Sequence, residues 1–401
     1  STLVKADKKN AFEVFSFASE NAKDAKISYA HMGTMCETKR GLFCAAFQCS
    51  ASGCEGKPGQ HVRFCTSEDK CETWTETKVP MFGLNALWSP VLHYLEQTDE
   101  ILLFYSESRK QLSPGGDVKL IRTRDEGMSW SEPETILTHE SLGGVPKVIA
   151  NRVCRGLKEE CLRLPFWTEP TDSWLRYRQY HPMEENASLQ KKVYHSPMGS
   201  RDDDSESVYS GTIDSHDGGK TWEAPRIKQL VKFPENTWLI ENAVVELETD
   251  DHLLMVFRTK AGYVFRSESL DGGQTWTDAS AMKDVPNPNS KIDMIRLQPS
   301  GLLALAFNDH AKHPAKGCSR CRTFLKVAVS SNDGKTWTRI RELEMDVDGS
   351  LRSHYPTLLQ RGCEVLVAYS KFYKIEPPQG SADVEESLAR QGIYVARVPL
   401  I

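Results

Sequence analysis

Ser215-His216-Asp217-Gly218-Gly219-Lys220-Thr221-Trp222 and Ser269-Leu270-Asp271-Gly272-Gly273-Gln274-Thr275-Trp276 share one form, S-x-D-x-G-x-T-W. Thr123 to Trp130 (TRDEGMSW) repeats it with Thr and Ser exchanged. Two degenerate copies complete the set. Ser67 to Trp74 has Cys71 in the glycine place, and Ser330 to Trp337 has Asn332 in the aspartate place. The physics of such a box is local. An Asp side chain accepts backbone N–H groups of its own turn, Gly supplies a positive φ, and Trp anchors the turn in a core. Each box therefore reads as a hairpin turn between two strands, and its Asp as structural.

The boxes start at Ser67, Thr123, Ser215, Ser269 and Ser330, so they lie 56, 92, 54 and 61 residues apart. Strand-rich units of roughly 50 residues indicate an all-β propeller with four-stranded blades. Apolar runs support the strands: Ile101 to Tyr105, Leu253 to Phe257 and Leu302 to Phe307. A sixth unit without a box follows at Tyr355 to Leu359 and Glu364 to Tyr369, ending in Ile393 to Ala396. The expectation is one six-bladed domain over residues 1–401. The 92-residue interval is blade three with an insertion at about 168–207, and a shorter polar excursion at 377–390 interrupts blade six.

Composition narrows the partners. With 50 basic and 55 acidic residues, the formal net charge of -5 leaves no electrostatic footprint for nucleic acid. No stretch approaches the roughly 20 apolar residues of a membrane helix. Six of eleven cysteines lie between Cys36 and Cys71. The others are the close pairs Cys154/Cys161 and Cys318/Cys321, and Cys363. The lone C-x2-C at Cys318 and Cys321 has no second pair at metal-site spacing, so disulfides are expected and a metal is not. With the sequon Asn186-Ala187-Ser188 and a Ser1 start, as in a processed chain, a secreted or lumenal glycoprotein is expected.

Five Asp boxes on six blades resemble the sialidase (neuraminidase) superfamily over nearly the whole chain. Glu241 to Leu247, continuing through Leu253 to Arg258, is similar to the segment holding the glutamate partner of the nucleophile and one carboxylate-binding arginine. Ser353-His354-Tyr355-Pro356-Thr357-Leu358 is similar to the segment of the nucleophilic tyrosine. Pro286 to Asp293 looks like the branch of sialidase-like proteins found in plants, algae and bacteria. The resemblance implies that Tyr355 is the nucleophile and that Glu241 draws off its proton. A phenol with a pKa near 10 needs such a carboxylate at neutral pH. It also implies that Arg258 and Arg322 grip a substrate carboxylate, which a guanidinium fork matches bidentately. Sialidases are the tyrosine exception among glycosidases.

Two family features are missing. The Arg-Ile-Pro-like motif is replaced by Tyr29-Ala30-His31-Met32-Gly33, without an arginine, and no Asp lies between Asp24 and Asp69 to act as the acid. Glu55 is the nearest carboxyl, with His31, His61 and Asp293 as substitutes. Propeller ligands bind where the innermost strands converge. The candidate pore set is therefore His31, Trp88, Ser89, Lys147, Glu241, Asn242, Asn287, Asn289, Lys291, Asp293, His354 and Tyr355. Of these, Tyr355, Glu241, Asp293 and His31, together with Glu55, are the catalytic candidates. Asn289, Lys291 and Trp88 join Arg258 and Arg322 as substrate-binding candidates.

The expected activity is hydrolysis of a terminal acidic sugar from a glycan, without a cofactor. One alternative is a propeller lyase, in which Tyr355 or His31 abstracts the C5 proton of a uronate. The other is a non-catalytic glycan-binding propeller.

Overall fold

The computed structural model describes residues 4–5, 11–53, 55–57, 59–77, 85–108, 114–158, 160–169, 208–312, 322–344, 351–373 and 388–400. Their strands form six sheets, one per blade. Blade one runs Tyr29–Glu37, Phe43–Ser50, His61–Ser67 and Thr75–Thr77 from axis to rim. Blade two is Leu87–Leu95, Glu100–Glu107, Asp117–Thr123 and Glu134–Leu137. Blade three is Lys147–Ile149, Leu162–Thr168, Tyr209–Ser215 and Val231–Lys232. Blade four is Ile240–Glu246, Leu253–Arg258, Tyr263–Ser269 and Ser280–Pro286. Blade five is Asp293–Arg296, Leu303–Asn308, Leu325–Ser330 and Thr338–Glu342, with Val4–Lys5 added in parallel at its rim.

Blade six closes the ring. Its first three strands are Leu351–Arg361, Glu364–Tyr373 and Gly392–Pro399, and its fourth is Ala11–Ser16 from the other end of the chain. The sequence pattern showed the first three and missed the fourth, because a strand that pairs across the whole chain carries no local turn signal. The insertion at 168–207 lies almost wholly outside the described residues, as do most of 377–390, the sequon and the Cys318/Cys321 pair. No helix among the described residues is long and apolar enough to cross a membrane.

Each pair of neighbouring blades shares its own apolar core, six in all. A blade is therefore covered on both faces. This explains why second strands such as Phe43–Ser50 and Glu100–Glu107 are buried at every residue and read as continuous apolar runs. Fully buried Phe47, Phe104, Phe166, Phe257 and Phe307 sit on these second strands, each contributing about 1.5–3 kcal/mol.

All but one of the described cysteines are buried and serve the same packing. Cys36, Cys44, Cys49, Cys65, Cys71, Cys154, Cys161 and Cys363 are free thiols, contrary to the disulfides expected from their clustering. Cys36 and Cys44 oppose each other on neighbouring strands and pack toward blade two. Cys49, Cys65 and Cys71 lie in the core shared with blade six. The cluster is thus divided between two cores, where thiols act as small apolar side chains.

Each repeated box joins the third and fourth strands of its blade. In blade four, the Asp271 carboxylate accepts from Thr275 N at 2.9 Å, Thr275 Oγ1 at 2.6 Å and Ser269 Oγ at 2.8 Å. Two successive residues take positive φ in every box, and the second is Gly127, Gly219, Gly273 or Gly334. In blade one that place belongs to Cys71, at φ 73°.

Candidate active site

The inner strands of four blades carry the same irregularity. Registry with the second strand slips between His31 and Thr34, Trp88 and Val91, Ile240 and Ala243, and His354 and Thr357. Each slip holds a residue at positive φ: Met32 (61°), Ser89 (51°), Glu241 (49°) and Tyr355 (58°). A bulge bends the strand and re-aims the side chains it carries. In blades four and six it brings Glu241 and Tyr355 together.

Tyr355 Oη donates to Glu241 Oε1 at 2.8 Å. Arg258 Nη1 donates to the same carboxylate oxygen at 2.7 Å and to Tyr355 Oη at 2.6 Å. All three side chains are nearly buried. Burial pulls the Arg258 guanidinium down, but Glu241 and Tyr355 outweigh it and hold the proton more tightly than usual. Burial pushes the Tyr355 hydroxyl up; Glu241 and Glu55 add to this, while Arg258 and Arg322 oppose it. The resting side chain is a neutral phenol with a carboxylate placed to take its proton.

The two arginines differ in availability. Arg258 Nε is held by Asn289 Oδ1 at 2.8 Å, so this guanidinium is engaged on the protein side. The Arg322 guanidinium carbon lies 5.3 Å from the centre of the Tyr355 ring, and its nitrogens have no hydrogen-bond partner among the described residues. Arg322 is the open cation beside the nucleophile candidate.

Glu55 belongs to the same group. Its Oε1 accepts from Gln48 Nε2 at 2.8 Å, and that amide also donates to Tyr29 Oη at 2.8 Å. Ser89 of blade two donates its N–H to Gln48 Oε1 at 2.7 Å and fixes the amide's orientation. Burial raises the Glu55 carboxyl above the usual range, the bonds from Gln48 and Tyr29 oppose this, and the nearby Glu241 raises it further. A carboxyl raised by burial near a nucleophile has the character of a general acid.

Two imidazoles flank Tyr355. The His31 ring centre is 4.2 Å from that of Tyr355 and 4.9 Å from that of His354. Burial, followed for His31 by Arg322 and for His354 by His31, keeps both rings neutral far below the ordinary range.

Other candidates act on the scaffold. Asp293 Oδ1 accepts from Met294 N at 2.9 Å and its Oδ2 from Leu358 N at 2.7 Å, so it ties blade five to blade six rather than facing Tyr355. Lys291 Nζ donates to Pro356 O and Thr357 Oγ1, directly behind the Tyr355 bulge. Burial lowers its ammonium to about 8. Asn289 serves Arg258. Trp88 sends its indole N–H to Ser108 Oγ at 2.6 Å, and Lys147 donates to the carbonyls of His139 and Ser141. Asn242 donates to Gly211 O, and Asn287 closes its own turn onto Ser290 O. His61 is on the third strand of blade one against Cys49 Sγ, at 3.3 Å.

Sequence reasoning missed Gln48, Tyr29 and Arg352. Gln48 left a trace as the one amide in the apolar run Phe43 to Cys49. Arg352 had none, since an arginine near a strand start is ordinarily solvated. Among the described residues no cluster of three His, Cys, Asp or Glu side chains is arranged for a metal.

Residues 188–366 match the family described as the BNR repeat-like domain. The fold is that of the sialidase-like BNR-repeat propellers. A protein of unknown function from Dyadobacter fermentans superposes with a TM-score of 0.65 at 17% identity, covering 98% of this chain and 99% of that one. The Hadza microbial sialidase Hz136 gives a TM-score of 0.65 at 17% identity, over 94% of this chain and 67% of that one. A Trypanosoma rangeli sialidase in complex with the inhibitor DANA gives 0.62 at 12% identity, over 92% and 55%. No curated protein matches the sequence. At these identities the likeness of the BNR-repeat propellers is one of fold, and the chemistry must be argued from this chain's own residues.

Proposed function

We propose that the protein is a sialidase-like glycoside hydrolase that releases a terminal acidic sugar from glycans. The observation that carries this reading is the closed triangle of Tyr355, Glu241 and Arg258, with every side between 2.6 and 2.8 Å. Tyr355 Oη attacks the anomeric carbon as its proton passes to Glu241. The bond to the leaving oxygen breaks, and Glu55 gives that oxygen its proton. Water then cleaves the tyrosyl-sugar bond, with Glu55 taking the water's proton and Glu241 returning its own to Tyr355. A neutral phenol meets an anionic sugar without the repulsion a carboxylate nucleophile would face. Arg258 acts chiefly by positioning the pair, while Arg322 is free to bind the sugar's carboxylate.

Release of methylumbelliferone from its sialic acid glycoside, by wild type beside Tyr355→Phe, tests the reading. Turnover that falls on the order of 10³-fold or more in the variant, with unchanged thermal unfolding, supports it. Equal rates in both would remove the tyrosine mechanism. No fluorophore from either, with an ultraviolet-absorbing product from a uronate polymer, would replace hydrolysis by elimination. Ligand affinity without any turnover would make the propeller a binding module.

A further inference from the structure

Blade six meets blade one across a group of side chains that the hydrolytic steps leave unused. Arg352 and His354 are two residues apart on the inner strand Leu351–Arg361, ahead of the bulge, so they share one face. Their cross-strand partners are Phe372 and Ser370. His31 reaches in from blade one, with Nδ1 2.8 Å from Ser370 Oγ. The His354 ring stands edge-on to Tyr355, with centroids 5.1 Å apart.

His354 is 4% exposed, yet neither ring nitrogen has a hydrogen-bond partner among the described residues. An imidazole buried in that way loses its bonds to water and regains none, at about 1–3 kcal/mol per unsatisfied group. Such a group in a cleft calls for a ligand atom or water. The charges around it give the sign of that ligand. Arg322, Arg352 and Arg258 act on both imidazoles, and Lys291 acts on His31 as well. Among the described residues, the acids Glu241 and Glu55 bear on Tyr355, and Glu241 is already paired with Arg258.

We propose that Arg352 and His354, backed by His31, form a second anion-binding wall that receives the carboxylate edge of the acidic sugar from the blade-six side, together with Arg322. This rests on the acidic-sugar reading of the site. The wall replaces the arginine that blade one lacks in Tyr29 to Gly33. A bound carboxylate supplies the counter-charge that both imidazoles lack in a site where burial first and the cations second disfavour their protonation, so the pair takes up a proton as the sugar binds. Affinity therefore rises as pH falls.

Calorimetric titration tests this in Tyr355→Phe protein, which on the mechanism above binds without turnover. The probes are DANA and D-glucuronate, between about pH 5.5 and about pH 8, each in two buffers of different ionisation heat. The expected result is tightening toward acid, by up to about ten-fold per pH unit, with buffer-dependent heat. Adding Arg352→Met should weaken binding about ten-fold or more, and Arg352→Lys should restore part of it. His354→Gln should flatten the pH profile. If His354→Gln fails to fold, Ser370→Ala frees His31 and should shift the same profile. Unchanged affinity in Arg352→Met, pH-independent binding without buffer-dependent heat, or no saturable binding of either probe would overturn the proposal. Intact binding in the Tyr355→Phe protein, with no sialoside turnover by the wild type, would instead count against the hydrolytic reading alone.

Discussion

Two sets of residues in this propeller adopt the left-handed backbone, and they differ in what holds them there. At the rim, each repeated turn has an aspartate or asparagine that accepts hydrogen bonds from its own turn, and glycine fills the second positive-φ place in four of five. At the axis, the positive-φ residues of the bulges are Met32, Ser89, Glu241 and Tyr355, none of them glycine. Each such residue costs of order 1–3 kcal/mol, and the surroundings must over-determine it. Here they do. Asn151 Nδ2 donates to the carbonyls of Glu241 and Asn242, Lys291 holds Pro356 O, and Thr357 Oγ1 reaches Gly33 O in blade one. Rim turns are stabilised locally and repeat as scaffold. Axial bulges are held by other blades and carry the chemistry.

That contrast can be broken most forcefully at the axis. Glu241→Gln keeps the shape of the acceptor but removes the base, and sialoside turnover should fall about 10²- to 10³-fold, accompanied by some loss of thermal stability from the unpaired buried Arg258. A large loss of stability with retained turnover would reverse the roles assigned to the two regions. Next comes Lys291, whose buried ammonium sits at about 8 against an unperturbed 10.5. Between those values the unfolded chain binds a proton that the native protein does not, so native stability climbs as pH rises through the window. Denaturant unfolding of wild type against Lys291→Met should show that climb only in the wild type.

At the rim a lowered carboxyl gives the same direction with pH, but there it is the charged form that the native turn stabilises. Burial opposes ionisation of Asp217, but hydrogen bonds from Thr221 and Ser215 outweigh it and lower the carboxyl to about 2 from 3.8. Its contribution is present above 3.8 and lost as pH falls toward 2. Asp217→Asn should therefore be less acid-sensitive across that window, with turnover at neutral pH unchanged. Gly273→Ala is the smallest test. Its φ of 89° penalises a Cβ, although the nearest atom, Leu253 Cδ1, is an unhindered 3.5 Å away. The expected cost is about 1–2 kcal/mol of stability, read by urea unfolding. No cost would mean that the rim turns tolerate strain as the axis does.

This difference also decides what could be read from the amino acids. The boxes state their geometry within eight residues, so five blades followed from Ser67, Thr123, Ser215, Ser269 and Ser330, and the sixth from the strand runs between Tyr355 and Ala396. Tyr355 and Arg258 stood out through the family resemblance, and Glu241 also because a carboxylate in an apolar run needs a reason. Glu55 emerged only as the nearest carboxyl, and its link to Gln48 crosses a hairpin that the sequence does not reveal. Asp293 and Lys291 looked like reactive groups. Their partners, Leu358 N and Pro356 O, are some 65 residues away, and backbone atoms leave no mark in sequence. The cysteine cluster misled for a related reason: proximity in the chain was divided between two faces of blade one.

The central claim is that Tyr355 forms a covalent bond to the sugar. Incubation with a difluorosialic acid, followed by intact-mass and peptide mapping, tests it directly. The account predicts one glycosyl adduct on the peptide containing Tyr355, absent from Tyr355→Phe. Sialoside turnover with no adduct, or with an adduct on any other residue, would contradict it.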